Sequence, residues 1–167
     1  MVKAIKLSVN SRLGLEARRM IKHHTTTVLL FSHEEPTRVL LGLHKKLQVW
    51  LPPGGHCKET ENPLETAIRE TLEECGINIS PYLPKVQRID EYADRIPNQQ
   101  YFFEELIPEY EGKPAHKHLD YVYVVYIPYQ QFQYPKGEYE DMRWLTKEEI
   151  KHLPHYKNLD YELDQNW

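Results

Sequence analysis

The sequence predicts an α/β fold, a mixed β-sheet sandwiched between helices. Three observations predict it. Short β-branched and apolar runs recur along the chain, the first two of them flank a turn and read as a hairpin, and one strongly capped amphipathic helix falls between strands. The chain has 167 residues, 40% of them hydrophobic and 28% charged, which suits one globular domain over residues 1–167. A net charge of -4 argues against stable nucleic acid binding, because phosphate neutralisation needs a basic face. The two cysteines, Cys57 and Cys75, make no disulfide framework, and a reducing, cytoplasmic setting fits them. Neither a signal peptide nor a membrane span is read.

Residues 1–24 read as an N-terminal extension in which Ser11–His23 has a rough helical rhythm. Thr25–Ser32 and Thr37–Leu43 form the hairpin, and Leu47–Leu51 is a third strand. It runs into Pro52-Pro53-Gly54-Gly55, where two prolines and two glycines forbid regular structure and let the backbone approach something closely. The helix Pro63–Cys75 follows. Asn62 caps it, Pro63 takes its first position, Glu65 completes a capping box and Gly76 ends it. Leu64, Ala67, Ile68, Thr71, Leu72 and Cys75 form one core-facing stripe. Lys85–Glu91, Leu119–Ile127 and Met142–Leu145 read as strands, Thr146–Leu153 as a capped helix, and Pro81–Gly112 as the least regular stretch.

The Pro63–Cys75 helix contradicts itself on its polar face. Glu70, Glu73 and Glu74 are spaced i, i+3 and i+4, where like charges cost roughly 0.2–0.5 kcal/mol per pair and acids in the last turn oppose the helix dipole. Such conflicts mark functional sites. A hard divalent cation, Mg2+ or Mn2+, would remove this one, since it prefers carboxylate oxygens and is completed by water and substrate phosphates. The bland alternative is a solvated acidic face with an ordinary Arg69–Glu73 pair.

The flanking residues decide between them. Five residues separate Gly55 from Glu61 and seven separate Glu61 from Arg69; then comes Arg69-Glu70-Thr71-Leu72-Glu73-Glu74-Cys75-Gly76-Ile77. This segment, within residues 54–77, resembles the Nudix box, with Thr71 its one soft departure at a position the family usually makes aliphatic. The resemblance implies the Nudix α/β/α sandwich and Mg2+-dependent hydrolysis of a nucleoside diphosphate linked to another moiety. It also implies that Glu70, Glu73 and Glu74 bind the metal with the Gly54 carbonyl, that Glu70 is a base or water-orienting residue, and that Arg69 and Glu61 fix the ligating carboxylates. Gly55 and Gly76 are its structural glycines. A further carboxylate often comes from a loop shortly before a Trp-containing strand; here Glu138, with Glu140 second, precedes Trp144. The rival is a Nudix-fold nucleotide-binding or regulatory module without catalysis, and an isomerase is a third option. Many family members are dimers, so a homodimer stays open.

His116, His118 and Asp120 alternate at the start of a strand and so point to one face. Two His and a carboxylate can bind zinc. The segment, with His56 in the PPGGH loop, also resembles a Nudix subgroup with an H-x-H-x-D strand, which favours hydrogen bonding to substrate or a structural polar strand. Ten of the twelve tyrosines lie between Tyr82 and Tyr139, more simply core and rim than base-stacking surface. The substrate is a small nucleotide-like molecule whose identity the sequence leaves open. Tyr92 is only a near miss for a subfamily signature.

Overall fold

The computed structural model describes residues 20–135 and 137–167. The predicted Ser11–His23 helix lies mostly outside them; Lys22 and His23, at its end, are strand instead. Strand β1 (Lys22–Ser32) therefore begins inside the stretch assigned to the extension. Val28–Phe31 is buried without interruption, the pattern of a central strand covered on both faces. It runs parallel to β8 (His116–Ile127), from Lys22↔Lys117 to Ser32↔Ile127.

The hairpin is real but brief. β1 and β2 (Val39–His44) share only the Phe31↔Val39 pairing before they part. β2 pairs with β3 (Trp50–Leu51) and β9 (Tyr139–Leu145), whereas the same edge of β1 is taken by the proline–glycine segment. Val28 donates its N–H to the Pro53 carbonyl, and Gly54–His56 forms β4, antiparallel to Thr25–Thr27. The expectation that Pro52–Gly55 forbids regular structure fails here. Both prolines stop short of the strand, and Gly54 fits because it has no side chain: a Cβ there would lie 2.1 Å from the Thr26 carbonyl oxygen.

The path of the seven-stranded sheet is β3-β2-β1-β8 and then β7 (Tyr101–Ile107), with β4 on β1 and β9 on β2. β7 pairs with β8 along its whole length. It falls in the stretch read as least regular, because Phe102 and Leu106 on its exposed face hide the alternation. The predicted Lys85–Glu91 strand shrinks to β5 (Gln87–Arg88), paired with β6 (Asp94–Arg95).

Helices cover both faces. α1 (Pro63–Cys75) packs Leu64, Ala67 and Cys75 on Val28, Leu30, Tyr123, Val125 and Trp144. On the other face α2 (Lys147–Ile150) and α3 (Lys157–Asn166) bring Ile150, Leu159 and Leu163 onto Leu29, Phe31, Leu41 and Val122. α2 has the expected Thr146–Glu149 capping box but ends before Leu153. α3 was not anticipated: Tyr156 supplies no side-chain cap, and Leu159 with Leu163 is its sole buried apolar pair. The result is the α/β/α sandwich around a mixed sheet. Among the described residues no helix is long and apolar enough to cross a membrane.

Candidate active site

The local chemistry of α1 fixes which way its polar face points. The Asn62 side chain accepts from the Glu65 N–H at 3.0 Å and the Glu65 carboxylate accepts from the Asn62 N–H at 2.8 Å, a closed capping box. At the other end Gly76 adopts φ 67°, and its N–H donates to the Leu72 carbonyl, a left-handed cap that glycine makes without strain. The predicted stripe is corrected at one point. Leu72 is 49% exposed and Thr66 is buried in its stead, its hydroxyl donating to Glu61 at 2.9 Å. Thr71 is fully buried and satisfies its hydroxyl on the Ala67 carbonyl.

With the apolar side held inward, Arg69, Glu70, Glu73 and Glu74 line one wall of a cleft of about 550 Å³. Gly54–Lys58 forms a second wall, and Gly137, Glu138 and Tyr139 close a third. Arg69 is the hub. Its Nε and one terminal nitrogen fork onto the two Glu61 oxygens at 2.7 and 2.9 Å. Its other terminal nitrogen reaches Glu70 at 2.7 Å and Glu73 at 3.1 Å. A further bond at 3.2 Å runs to the His56 carbonyl. The Arg69 fork holds the Glu61 carboxyl at about 2, well below its ordinary range, and the Glu61 contact in turn raises Arg69. Arg69 is thus a fixed cation to which two cleft carboxylates are tethered, more than the ordinary i, i+4 pair.

Glu74 sits deepest. Its Oε2 accepts from the Gly54 N–H at 3.0 Å and faces the Tyr139 hydroxyl at 3.4 Å. Burial pushes its carboxyl up to about 8, against the Gly54 bond, and the charges of Glu70 and Glu138 push the same way. Burial raises Glu70 as well, despite the Arg69 contact, with Glu73 and Glu138 adding repulsion. Glu138 is 71% exposed at its side chain and lies 3.9 Å from His44 Nε2. Glu140, the second candidate, accepts instead from Gln48. Gly55 faces Glu70 so closely that a Cβ would stand 2.5 Å from its Oε1.

The histidine segment goes elsewhere. On β8, Tyr121, Tyr123 and Val125 face α1, whereas Val122 and Val124 face α3, so His116, His118 and Asp120 lie on the α3 side. Asp120 is buried and its Oδ1 accepts from Thr25 at 2.8 Å. The zinc reading of His116, His118 and Asp120, the less favoured one, has no matching cluster among the described residues. His118 instead meets His56 from β4 and His23 from β1. His23 had no motif around it to single it out; only the pairing of β1 with β8 reveals it.

Comparison with known proteins agrees with this architecture. The family model described as NUDIX domain matches residues 22–165. Among curated proteins, the chain is 47% identical over 45 residues to the m7GpppN-mRNA hydrolase NUDT17 of Danio rerio, covering 27% of this chain and 15% of that one. It is 50% identical over 42 residues to the asymmetrical bis(5'-nucleosyl)-tetraphosphatase of Mus musculus, covering 25% of this chain and 29% of the relative. The chain thus spans less than a third of the length of either. A NUDIX-family hydrolase from Clostridium perfringens has the same fold at a TM-score of 0.65 and 27% identity, covering 86% of this chain and 94% of that one. The E. coli dihydroneopterin triphosphate pyrophosphohydrolase shares the fold at a TM-score of 0.63 and 16% identity, over 87% and 97% of the two chains. With a family model matched from the first strand into the last helix, the chain belongs to the NUDIX hydrolase family.

Proposed function

We propose that this chain hydrolyses the pyrophosphate bond of a nucleoside diphosphate linked to another moiety, with Mg2+ or Mn2+ as cofactor. The observation that carries the reading is the convergence of Glu70, Glu73, Glu74 and Glu138 on one cleft, where burial and neighbouring carboxylate charge raise both Glu70 and Glu74. Carboxylates crowded this way favour a hard cation over protons. The donor set fits: Glu70, Glu73, Glu74, the Gly54 carbonyl and Glu138 offer oxygen ligands, and Gly55 leaves open the space beside Glu70 that a side chain would fill. When bound, such a cation neutralises diphosphate charge and acidifies water.

The chain's own residues supply the rest. Arg69, held by Glu61, keeps Glu70 and Glu73 turned into the cleft. Tyr139 and the Gly54 N–H anchor Glu74. Glu70, which faces the loop at Gly55, is the carboxylate the family resemblance assigns to take or orient the proton of the attacking water. A new P–O bond forms to that water, the bridging P–O bond breaks, and the leaving phosphate carries away the electron pair. Products are a nucleoside monophosphate and a phosphorylated remainder. The complete carboxylate set supports catalysis over the alternative of a binding-only module. The relatives named for m7GpppN-mRNA, bis(5'-nucleosyl) tetraphosphates and dihydroneopterin triphosphate share a phosphoanhydride joined to a base-like ring, which supports the same substrate class.

The test is a panel of nucleoside diphosphate derivatives incubated with Mg2+ or Mn2+ in 18O-water, with products read by mass spectrometry. The expected result is one labelled monophosphate product, formed roughly a hundred- to ten-thousandfold more slowly by Glu70→Gln. Turnover that ignores this substitution would remove the mechanism, and an inert panel would remove the activity.

A further inference from the structure

We propose that His23, His56 and His118 form a second metal site, distinct from the carboxylate cleft, that takes a divalent cation of the zinc class. The three side chains come from β1, β4 and β8, far apart in sequence, yet each offers a ring nitrogen and these atoms all lie within 4.8 Å of one another. Tetrahedral ligands at Zn–N bonds of about 2.0–2.1 Å stand roughly 3.4 Å apart, so modest ring rotations close the set around an ion.

Two observations separate this cluster from a chance group of surface histidines. His23 Nδ1 is buried without any hydrogen-bond partner, an orphaned donor or acceptor of the kind that folded chains rarely tolerate. His118 is also oriented from behind. His116 Nδ1 lies 3.1 Å from the Pro114 carbonyl, where it donates, which leaves His116 Nε2 as acceptor toward His118 Nε2 at 3.2 Å. A backbone carbonyl that fixes the tautomer of one ring, which then orients the next, is the usual outer support of a ligating imidazole. Burial and the neighbouring rings hold His118 down at about 4, so at neutral pH it presents a lone pair.

The donor chemistry differs from that of the cleft. Three imidazoles suit zinc, cobalt or nickel, whereas Mg2+ prefers oxygen. Three protein ligands also leave a fourth position open, and His56 lies at the rim of both the carboxylate cleft and the adjoining depression formed with His23, His24 and Tyr121. An ion there ties together the ends of three strands, one of which carries the first glycines of the site loop.

Co2+ binding to the full, tag-free chain tests this. After chelator treatment, Co2+ is titrated into the wild type, into Glu70→Gln/Glu74→Gln, and into His23→Ala/His118→Ala, with visible absorption and calorimetric stoichiometry as readouts. The intense bands of tetrahedral cobalt are expected in the wild type and in the glutamate variant, and absent from the histidine variant. His116→Ala keeps all three ligands and is expected to weaken Co2+ roughly ten- to a hundredfold. Circular dichroism distinguishes loss of the site from loss of the fold, and His118→Gln, which retains most of the volume, repeats the measurement should the double variant unfold. Wild type without tetrahedral bands, or bands that vanish in the glutamate variant and persist in the histidine variants, would overturn the proposal. Both outcomes are independent of whether the panel of nucleotides is hydrolysed.

Discussion

Replacing Glu74 by Gln is expected to make the metal-free protein more stable while it cripples metal binding. In the folded chain the carboxyl is pushed up to about 8 by burial, from an ordinary 4.5. A raised acid holds its proton in the folded state and releases it on unfolding. Its stabilising contribution is therefore complete below about pH 4.5 and is lost as pH rises toward 8. At pH 7 the lost amount is about 3 kcal/mol as an upper limit, from 1.36 kcal/mol per pH unit. Gln keeps an oxygen for the Gly54 N–H and carries no charge, so the variant escapes this loss. In a domain of this size that corresponds to a melting temperature roughly 6–12 °C higher at pH 7, with little difference at pH 4. Bound Mg2+ should close most of that gap at a hundred times its dissociation constant, where it stabilises the wild type by about 2.7 kcal/mol, and reverse the order at a thousand times, where it adds about 4.1 kcal/mol. Thermal unfolding from pH 4 to 8, with EDTA and with Mg2+, measures all of this. Parallel curves for the two proteins in EDTA would show that Glu74 is not held protonated by its surroundings, and the electrostatic case for a cation site would fall with it.

Two further outcomes follow from the same packing. Gly55→Ala sets a Cβ 2.5 Å from Glu70 Oε1, so the carboxylate must swing aside; metal affinity by calorimetry should drop while the melting temperature moves little, and an unchanged affinity would mean that Glu70 is no ligand. Glu162, 2% exposed on α3 beside Asp120 and Glu105, is pushed by burial up to about 8. By the same sign argument Glu162→Gln should gain stability as pH rises from about 4.5 to 8, here regardless of Mg2+, and a gain that depended on Mg2+ would place the effect at the cleft instead.

The parts of the fold legible in the sequence are those whose determinants are local. α1 lies where Asn62, Pro63, Glu65 and Gly76 put it, because caps and left-handed turns are settled within a few residues. The cleft side of the site was legible for the same reason: Glu61, Arg69, Glu70, Glu73 and Glu74 belong to one helix and its lead-in. Strand partners were not. Whether Thr25–Thr27 pairs with β2 or with a proline–glycine segment depends on contacts distant in the chain, and register across a sheet is a tertiary property. His23 was invisible on that account, as it joins His118 only through the parallel β1–β8 ladder. α3 was missed because its Leu159 and Leu163 mean something only once a bare sheet face awaits them.

β4 is three residues long and each of them has a different duty. Gly54 donates to Glu74, Gly55 makes way for Glu70, and His56 turns its ring toward His23 and His118. The period of two makes this arrangement intolerant of insertion. One extra residue after Pro53 would carry Gly54 to the place of Gly55 and Gly55 to the place of His56, withdrawing the imidazole from its two partners. One deletion would drive the His56 ring into the space reserved beside Glu70. The far side of His56 is no freer, because Lys58 and Glu61 exchange hydrogen bonds there and Arg69 holds both Glu61 and the His56 carbonyl.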